Sequence, residues 1–450
     1  MRPIGELSKQ IEEELWMMVY RQTKIKGWFE LQRTVCPVCG KSGGCMIHES
    51  GNKIACIRER SEIQFGKGSC QSWLHQIKDG VKVDVGNTVS KTNSRKKFPV
   101  HLLHGFFSKL AKDSTTELSH MHSQHLMNER KLPERTIINR QYRSFPQHPM
   151  VTAKNVLGPF ADRLADPKMT VGIPGFYMNQ DSWTINGQSG ILIPYRNEYN
   201  LITGYQIRVD EVKNFVETDQ LKYPNLKAYV IKQPNYVNIV VNGKKFWEGV
   251  LELGKMEKVV DENGEIIGTV KLANGQRYYW LSSPNKKYGT VAGDPIPIHV
   301  AVPSKQLESW NKAVEADLSN SENDSHTTLR KSKAVWITEG ALKADIAIDH
   351  IAEAFSDIIE EVGDTMLAAP GINSWRALLP LLITMGVKRI NIAFDMDATV
   401  NEHVSPYFHD MVKEFKTLGY EVYVAAWSLN NGKGIDDLLL NGFTPQLRKL

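Results

Sequence analysis

The sequence has no apolar run of the roughly 18 residues that a membrane-spanning helix needs, and its start, Met1 to Glu6, lacks the apolar stretch of a secretory signal. A cytoplasmic protein with no membrane partner is the expectation. Cysteine is scarce outside one stretch: Cys36, Cys39, Cys45, Cys56 and Cys70 all lie between positions 36 and 70. That clustering excludes a disulfide framework across a large protein and, in a reducing compartment, reads as metal binding. The Walker A pattern, G-x-x-x-x-G-K-[ST], is missing, which excludes a fused ATP-driven helicase. Charge of one sign is only in mild excess: the formal net charge of +5 permits a polyanion partner and decides nothing alone.

What is present is material for several cores. With 450 residues, 41% hydrophobic and 23% charged, the chain reads as two or three globular domains rather than as a disordered polymer. Residues 6 to 22 carry helical apolar spacing through Ile11, Leu15, Met18 and Val19, so residues 1–78 read as a helix followed by the cysteine module. Residues 79–98 are polar, end on Arg95, Lys96 and Lys97, and read as a linker. Residues 99–303 combine a helical start with β-rich runs (ILIPY, LITGYQIRV, VNIVV, RYYWLSS), a mixed α+β domain. Residues 304–333 are mostly polar with no sustained apolar face and read as a flexible connection. Over 334–428, short apolar strands (AVWIT, MLAAP, RINIAF, VYVAAW) alternate with amphipathic helices, the pattern of a Rossmann-like α/β domain with a parallel sheet. Residues 429–450 read as a loop and a short helix.

In such a sheet, ligands gather at the carboxyl ends of the strands. The first strand here ends on Glu339 and the third on Asp395-Met396-Asp397. Side chains alternate along extended chain, so Asp395 and Asp397 can point the same way, and Glu339 can join them from a neighbouring strand. Carboxylates gathered in a partly buried site repel by several kcal/mol, which a divalent cation relieves, and an all-oxygen set selects a hard ion such as Mg²⁺ or Mn²⁺. Read blandly, Glu339 caps the next helix and the aspartates are solvated. Lys343, one turn after Glu339, is placed either to pair with it or to meet a substrate phosphate. Lys433, between Gly432 and Gly434, offers a phosphate an ammonium beside free backbone amides. Of Asp436 and Asp437, one is positioned to supplement the metal cluster and the other to cap the short helix, with no choice between them in the sequence.

ITEGALKADIA, LAAPGINSW and IAFDMDATV resemble the glutamate motif, the small-residue turn and the D-x-D motif of Toprim domains. With the late Gly432-Lys433-Gly434-Ile435-Asp436-Asp437, they look like the Toprim domains of primase-like replication proteins from phages, plasmids and other mobile elements. The resemblance implies that Glu339 acts as general acid/base or metal ligand and that Asp395 and Asp397 hold the metals of a two-metal phosphoryl transfer.

Cys36-Pro37-Val38-Cys39-Gly40-Lys41 is a zinc-knuckle pattern, two thiolates on a tight turn that Gly40 makes accessible. Cys45, His48, Cys56, Cys70 and His75 compete for the second pair. Cys45 and Cys56 are favoured because they bracket MIHESGNKIA, whose Glu49-Ser50-Gly51-Asn52 centre can turn a hairpin and return the chain to the metal. The module resembles the N-terminal zinc-binding domain of primases, but its ligand set differs from the Cys-His-Cys-Cys set of the DnaG type. The flanking Lys41, Lys53, Arg58, Arg60 and Lys67 fit a nucleic-acid contact. In the middle domain, GILIPYR and ITGYQIR resemble a strand pair of the primase polymerase core, which would turn Arg208 toward nucleotide or template phosphates.

The expected function is therefore a DNA primase, a DNA-directed RNA polymerase and nucleotidyltransferase making primers from ribonucleotides on single-stranded DNA, with structural Zn²⁺ and catalytic Mg²⁺ or Mn²⁺. A separate replicative helicase and polymerase are the implied partners. The rival readings are a Toprim nuclease and a catalytically idle single-stranded-DNA-binding protein that recruits other replication proteins.

Overall fold

In the computed structural model the described residues are 20–23, 25–31, 36–41, 44–65, 71–77, 88–89, 97–158, 172–219, 226–284, 286–293, 295–319, 328–396 and 405–450. They belong to two compact units, Met1–Thr92 with Glu211–Arg277, and Asn93–Asp210 with Tyr278–Leu450.

In the first unit, short strands surround the cysteines. Trp28–Leu31 pairs with Met46–His48, which turns through Glu49 to Asn52 into Lys53–Cys56, the hairpin expected from the sequence. Phe29, Leu31, Ile47 and Ile54 pack with Cys36, Cys45 and Cys56 into one small core. The helix expected over 6–22 falls outside the described residues up to 19, and its last three residues are strand, not helix. Tyr20–Gln22 pairs antiparallel with Trp28–Leu31, because Gly27 at φ +78° lets the chain reverse between them. Of the expected linker, Thr88–Val89 pairs alongside Tyr20 and Arg21.

Residues 211–277 form a second β module in this unit, of two three-stranded antiparallel sheets. Asn242-Gly243, both at positive φ, join Tyr236–Val241 to Lys244–Val250 by the two-residue turn whose twist suits a hairpin. Leu226, Val237, Ile239, Leu251, Val259, Ile267, Val270 and Leu272 are its core.

In the second unit, helix Val100–Lys112 precedes a four-stranded antiparallel sheet ordered Tyr278–Trp280, Ile202–Val209, Gly190–Arg196, Arg143–Ser144. The first two strands are hydrogen-bonded neighbours, so residues 211–277 are a β insertion between adjacent strands. The C-terminal sheet has the order His299–Ala301, Met366–Ala369, Ala334–Glu339, Arg389–Ile392, Glu421–Ala426, Gln446–Lys449. Its four central strands are parallel, as the apolar runs predict, and both edges are antiparallel.

Two expectations are corrected. Ser304–Ser319, read as part of a flexible connection, is a helix: Leu307 and Val314 are buried and Trp310 donates to the Thr328 carbonyl at 2.7 Å. Three apolar residues on one narrow stripe suffice for a helix that buries little, and the polar remainder masks them. The tail 429–450 is more than a loop and a helix, because Gln446–Lys449 closes the sheet beside Glu421–Ala426. An edge strand facing water alternates charge with little apolar signal, so its sequence does not announce it.

Candidate functional site

The cysteine centre grows from the knuckle turn. The Gly40 amide donates to the Cys36 carbonyl at 2.8 Å and the Cys36 amide to that of Lys41 at 2.9 Å, with Gly40 at φ +64°. Cys45 enters and Cys56 leaves the hairpin, so the four Sγ atoms of Cys36, Cys39, Cys45 and Cys56 lie within 4.8 Å of one another. The Cys39–Cys45 and Cys45–Cys56 separations of 3.8 and 3.6 Å suit a tetrahedral ion with metal–sulfur bonds of about 2.3 Å. The amides of Arg58 and Glu59 donate to the Cys56 sulfur at 3.4 and 3.2 Å, and the Arg58 guanidinium reaches the Cys39 and Cys45 sulfurs at 3.7 Å. Hydrogen bonding from the neighbouring thiols, Cys36 foremost, holds Cys39 well below the ordinary thiol range and favours the thiolate that metals bind. The donor set fits Zn²⁺.

The competing ligands are engaged elsewhere. His48 Nδ1 lies 2.8 Å from the Ser50 hydroxyl, and His75 Nε2 lies 2.9 Å from the Glu59 carbonyl. Cys70 and Lys67 fall outside the described residues. Arg58 serves the sulfurs, a role that the basic-flank reading missed.

The carboxylates sit at the carboxyl ends of the central strands. Glu339 is the exposed last residue of Ala334–Glu339, and Gly340 at φ +84° turns the chain into helix Ala341–Ala354. One turn in, Lys343 forms an ion pair with Asp395, just past Arg389–Ile392. Burial opposes the charged form of Lys343, but the carboxylates of Asp395, Asp436 and Glu339 outweigh it and hold the ammonium above its ordinary range.

Asp437 and Asp436 face different surroundings. The Asp437 carboxylate accepts from the Gly434 amide at 3.4 Å and caps helix Ile435–Leu440, while Asp436, 4% exposed, faces Lys343. Burial foremost raises Asp436 above the usual carboxylate range. One of its oxygens lies 3.5 Å from an Arg130 nitrogen, and the other, Oδ1, is buried without a hydrogen-bond partner among the described residues. A buried carboxylate oxygen left over is a fit for a hard cation. Gly434 makes the approach possible: a Cβ there would stand 2.6 Å from Asp436 Oδ1 and 3.1 Å from Lys343 Nζ. The Met396 amide donates to the Lys433 carbonyl at 3.3 Å, joining the Asp395 loop to the glycine loop.

Asp397 lies outside the described residues. Among the described residues, the cysteines are the one group of three or more such ligands gathered within 4.8 Å, so Glu339, Asp395 and Asp436 share a neighbourhood with Lys343 rather than one tight cage. Arg208 pairs in register with Ile191 and Tyr278, and with Arg130 it acts electrostatically on His125.

Two features escaped the sequence reading. Arg130 follows a widened helical turn, His125–Glu129, in which the Arg130 amide reaches back five residues to the His125 carbonyl at 3.2 Å; no motif marks it. Asp345, two residues past Lys343, anchors a buried network. Arg140 pairs with its carboxylate, the Tyr142 hydroxyl donates to it at 2.6 Å, and His299 Nε2 lies 3.0 Å away. The Arg196 amide donates to His299 Nδ1 at 3.1 Å, which makes Nε2 the protonated nitrogen and the donor to Asp345. Burial alone would raise the Asp345 carboxyl, but Arg140 and His299 bring it down to about 2. The network fixes the helix that carries Lys343.

No helix among the described residues is long and apolar enough to cross a membrane. Residues 327–444 match a family described as "Domain of unknown function (DUF3854)". No curated protein matches the sequence. Among solved structures, the chain is similar to the Aquifex aeolicus primase (zinc binding and RNA polymerase domains), at 9% identity over 99% of this chain and 86% of that one, TM-score 0.39. It is also similar to the RNA polymerase domain of Mycobacterium tuberculosis primase DnaG, at 11% identity over 76% of this chain and 80% of that one, TM-score 0.40. A DnaG primase catalytic domain bound to ssDNA is similar at 10% identity, over 77% of this chain and 80% of that one, with a TM-score of 0.38.

Proposed function

We propose that this chain is a primase-like nucleotidyltransferase that synthesises short primers from ribonucleotides on single-stranded DNA, in the replication of a phage or other mobile element. The observation that carries the reading is the cluster at the strand ends, where Asp395 and Asp436 flank Lys343 close to Glu339 and Arg130 adjoins from a separate segment. The Toprim-like motifs and the four-cysteine module support it from the sequence side.

Glu339, Asp395, Asp397 and Asp436 are the residues that would hold Mg²⁺ or Mn²⁺, and such an ion would neutralise charge building on the α-phosphate and favour the nucleophilic form of a 3′-hydroxyl. The chain's own groups do the rest. Lys343 holds Asp395 in place through their ion pair. Arg130 and Arg208 supply planar guanidinium donors for triphosphate or template oxygens. Asp437 and the helix it caps set the angle at which Asp436 enters. Zn²⁺ on the four cysteines would staple a module too small to be stable on its own apolar core.

The test is primer synthesis by the full chain on single-stranded DNA with labelled nucleotides and Mg²⁺ or Mn²⁺. Asp395→Asn and Glu339→Gln should each abolish extension and leave the oligonucleotide affinity close to wild type. The reading is wrong if both variants extend at the wild-type rate, or if the wild-type protein only degrades DNA, which would make it a nuclease.

A further inference from the structure

The cysteine centre has one partly open side. Cys36, Cys45 and Cys56 are fully buried, whereas Cys39 is partly exposed, so an electrophile arriving from solvent meets the Cys39 sulfur first. The thiolate is the nucleophilic form of cysteine, and it is also the form that binds a metal. Four thiolates on one divalent ion leave the centre net negative, and excess charge in a largely buried place is costly unless it is paired.

The residues directly after the last ligand answer both needs. The amides of Arg58 and Glu59 donate to the Cys56 sulfur at 3.4 and 3.2 Å. The Arg58 side chain folds back so that Nη1 lies 3.7 Å from the Cys39 sulfur and 3.7 Å from the Cys45 sulfur, which are themselves 3.8 Å apart. One nitrogen therefore spans an edge of the sulfur cluster and brings positive charge to the side on which Cys39 is open. Its N–H groups engage sulfur lone pairs that would otherwise attack an electrophile, and its charge offsets the excess of the thiolates. A guanidinium suits this place because it is always charged, weakly hydrated and presents its donors in a rigid fork. We infer that Arg58 guards the metal centre: it bridges Cys39 and Cys45, lowers the reactivity of the Cys39 thiolate and sets the rate at which the ion is lost. Its guanidinium is then committed to the sulfurs and not to a phosphate. The role needs no catalysis, so it stands or falls apart from the primer-synthesis reading.

The experiment uses the full chain loaded with Zn²⁺, iodoacetamide as the electrophile, and the chromogenic chelator pyridylazoresorcinol to record release. In each event a sulfur lone pair forms an S–C bond as the C–I bond breaks, iodide leaves, and the neutral thioether no longer holds the ion as the thiolate did. Arg58→Gln should release zinc on the order of tenfold faster than wild type, the size of effect usual for a partner of a metal ligand. Peptide mass spectrometry should find Cys39 the first of the four ligands modified. Arg58→Lys should fall between the two, because an ammonium keeps the charge but lacks the fork. Arg60, two residues on, lies over the Trp73 ring with 5.1 Å to its centroid, and Arg60→Gln should release zinc at the wild-type rate. Metal analysis and circular dichroism at the start separate lost protection from lost folding, and if Arg58→Gln does not fold, Arg58→Lys against wild type decides. Binding of Arg58→Gln to oligo(dT) should keep the wild-type slope of log affinity against log salt, which loss of a phosphate contact would flatten by about 0.7. Wild-type release rates in the Arg58 variants that fold, equal acceleration by Arg60→Gln, or a flattened salt slope would overturn the assignment.

Discussion

Replacing Asp345 with alanine is the sharpest perturbation of the architecture around the site. Asp345 and Arg140 are 1% and 2% exposed, and removing one member of so buried a pair costs about 3–5 kcal/mol because the other charge stays behind. Arg140 retains Asp349 at 3.2 Å and the Val302 carbonyl at 3.2 Å, while the Tyr142 hydroxyl and the His299 Nε2 proton lose their acceptor. The surviving contacts place the loss at the low end, about 3 kcal/mol. Urea unfolding followed by tryptophan fluorescence reads it, since Trp336 and Trp375 are fully buried in the same unit. The pH dependence gives a second reading. The folded Asp345 carboxyl is depressed to about 2 from an ordinary 3.8, so its stabilisation is fully present above about pH 4 and is lost as pH falls through about 2. That ionisation-linked share is about 2 kcal/mol, and the gap between wild type and variant should narrow by that amount over this window. Pairing Asp345→Leu with Arg140→Met should recover much of the loss, because an apolar pair leaves no buried charge. A loss under about 1 kcal/mol, or a gap independent of pH, would refute the claim that this network anchors the helix.

Two other predictions address the metal centre and the glycine loop. Purified protein should contain about one Zn²⁺ per chain, and Cys36→Ser with Cys39→Ser should lose it and unfold the ribbon, as metal analysis and circular dichroism would show; full occupancy in that variant refutes the site. Gly434→Ala should keep the fold, because its φ of −97° suits alanine, but should cut primer synthesis by tenfold or more, a drop on the order of 1.4 kcal/mol in transition-state stabilisation, by pushing Asp436 and Lys343 apart; unchanged activity would show that their approach is not used.

The sequence alone determined the features that rest on local pattern. The central strands of the C-terminal sheet are short apolar runs buried on both faces, and such strands declare themselves in any context. The cysteine hairpin is equally local, since knuckle, turn and return fall within a few dozen residues and each has its own turn chemistry. The tertiary structure decided whatever depends on a distant partner. Asp436 and Asp437 are adjacent and chemically alike, and only the fold of the glycine loop against Lys343 separates the buried carboxylate from the helix cap. Lys343, placed by the sequence either to pair with Glu339 or to meet a substrate phosphate, is ion-paired with Asp395 just past another strand. Arg130, Arg140, Tyr142 and His299 lie far from the motifs in sequence and reach Asp436 or Asp345 only after the strands are stacked. Long-range electrostatics leaves no periodicity in a sequence, because a charge's partner is set by where the chain returns and not by what stands beside it.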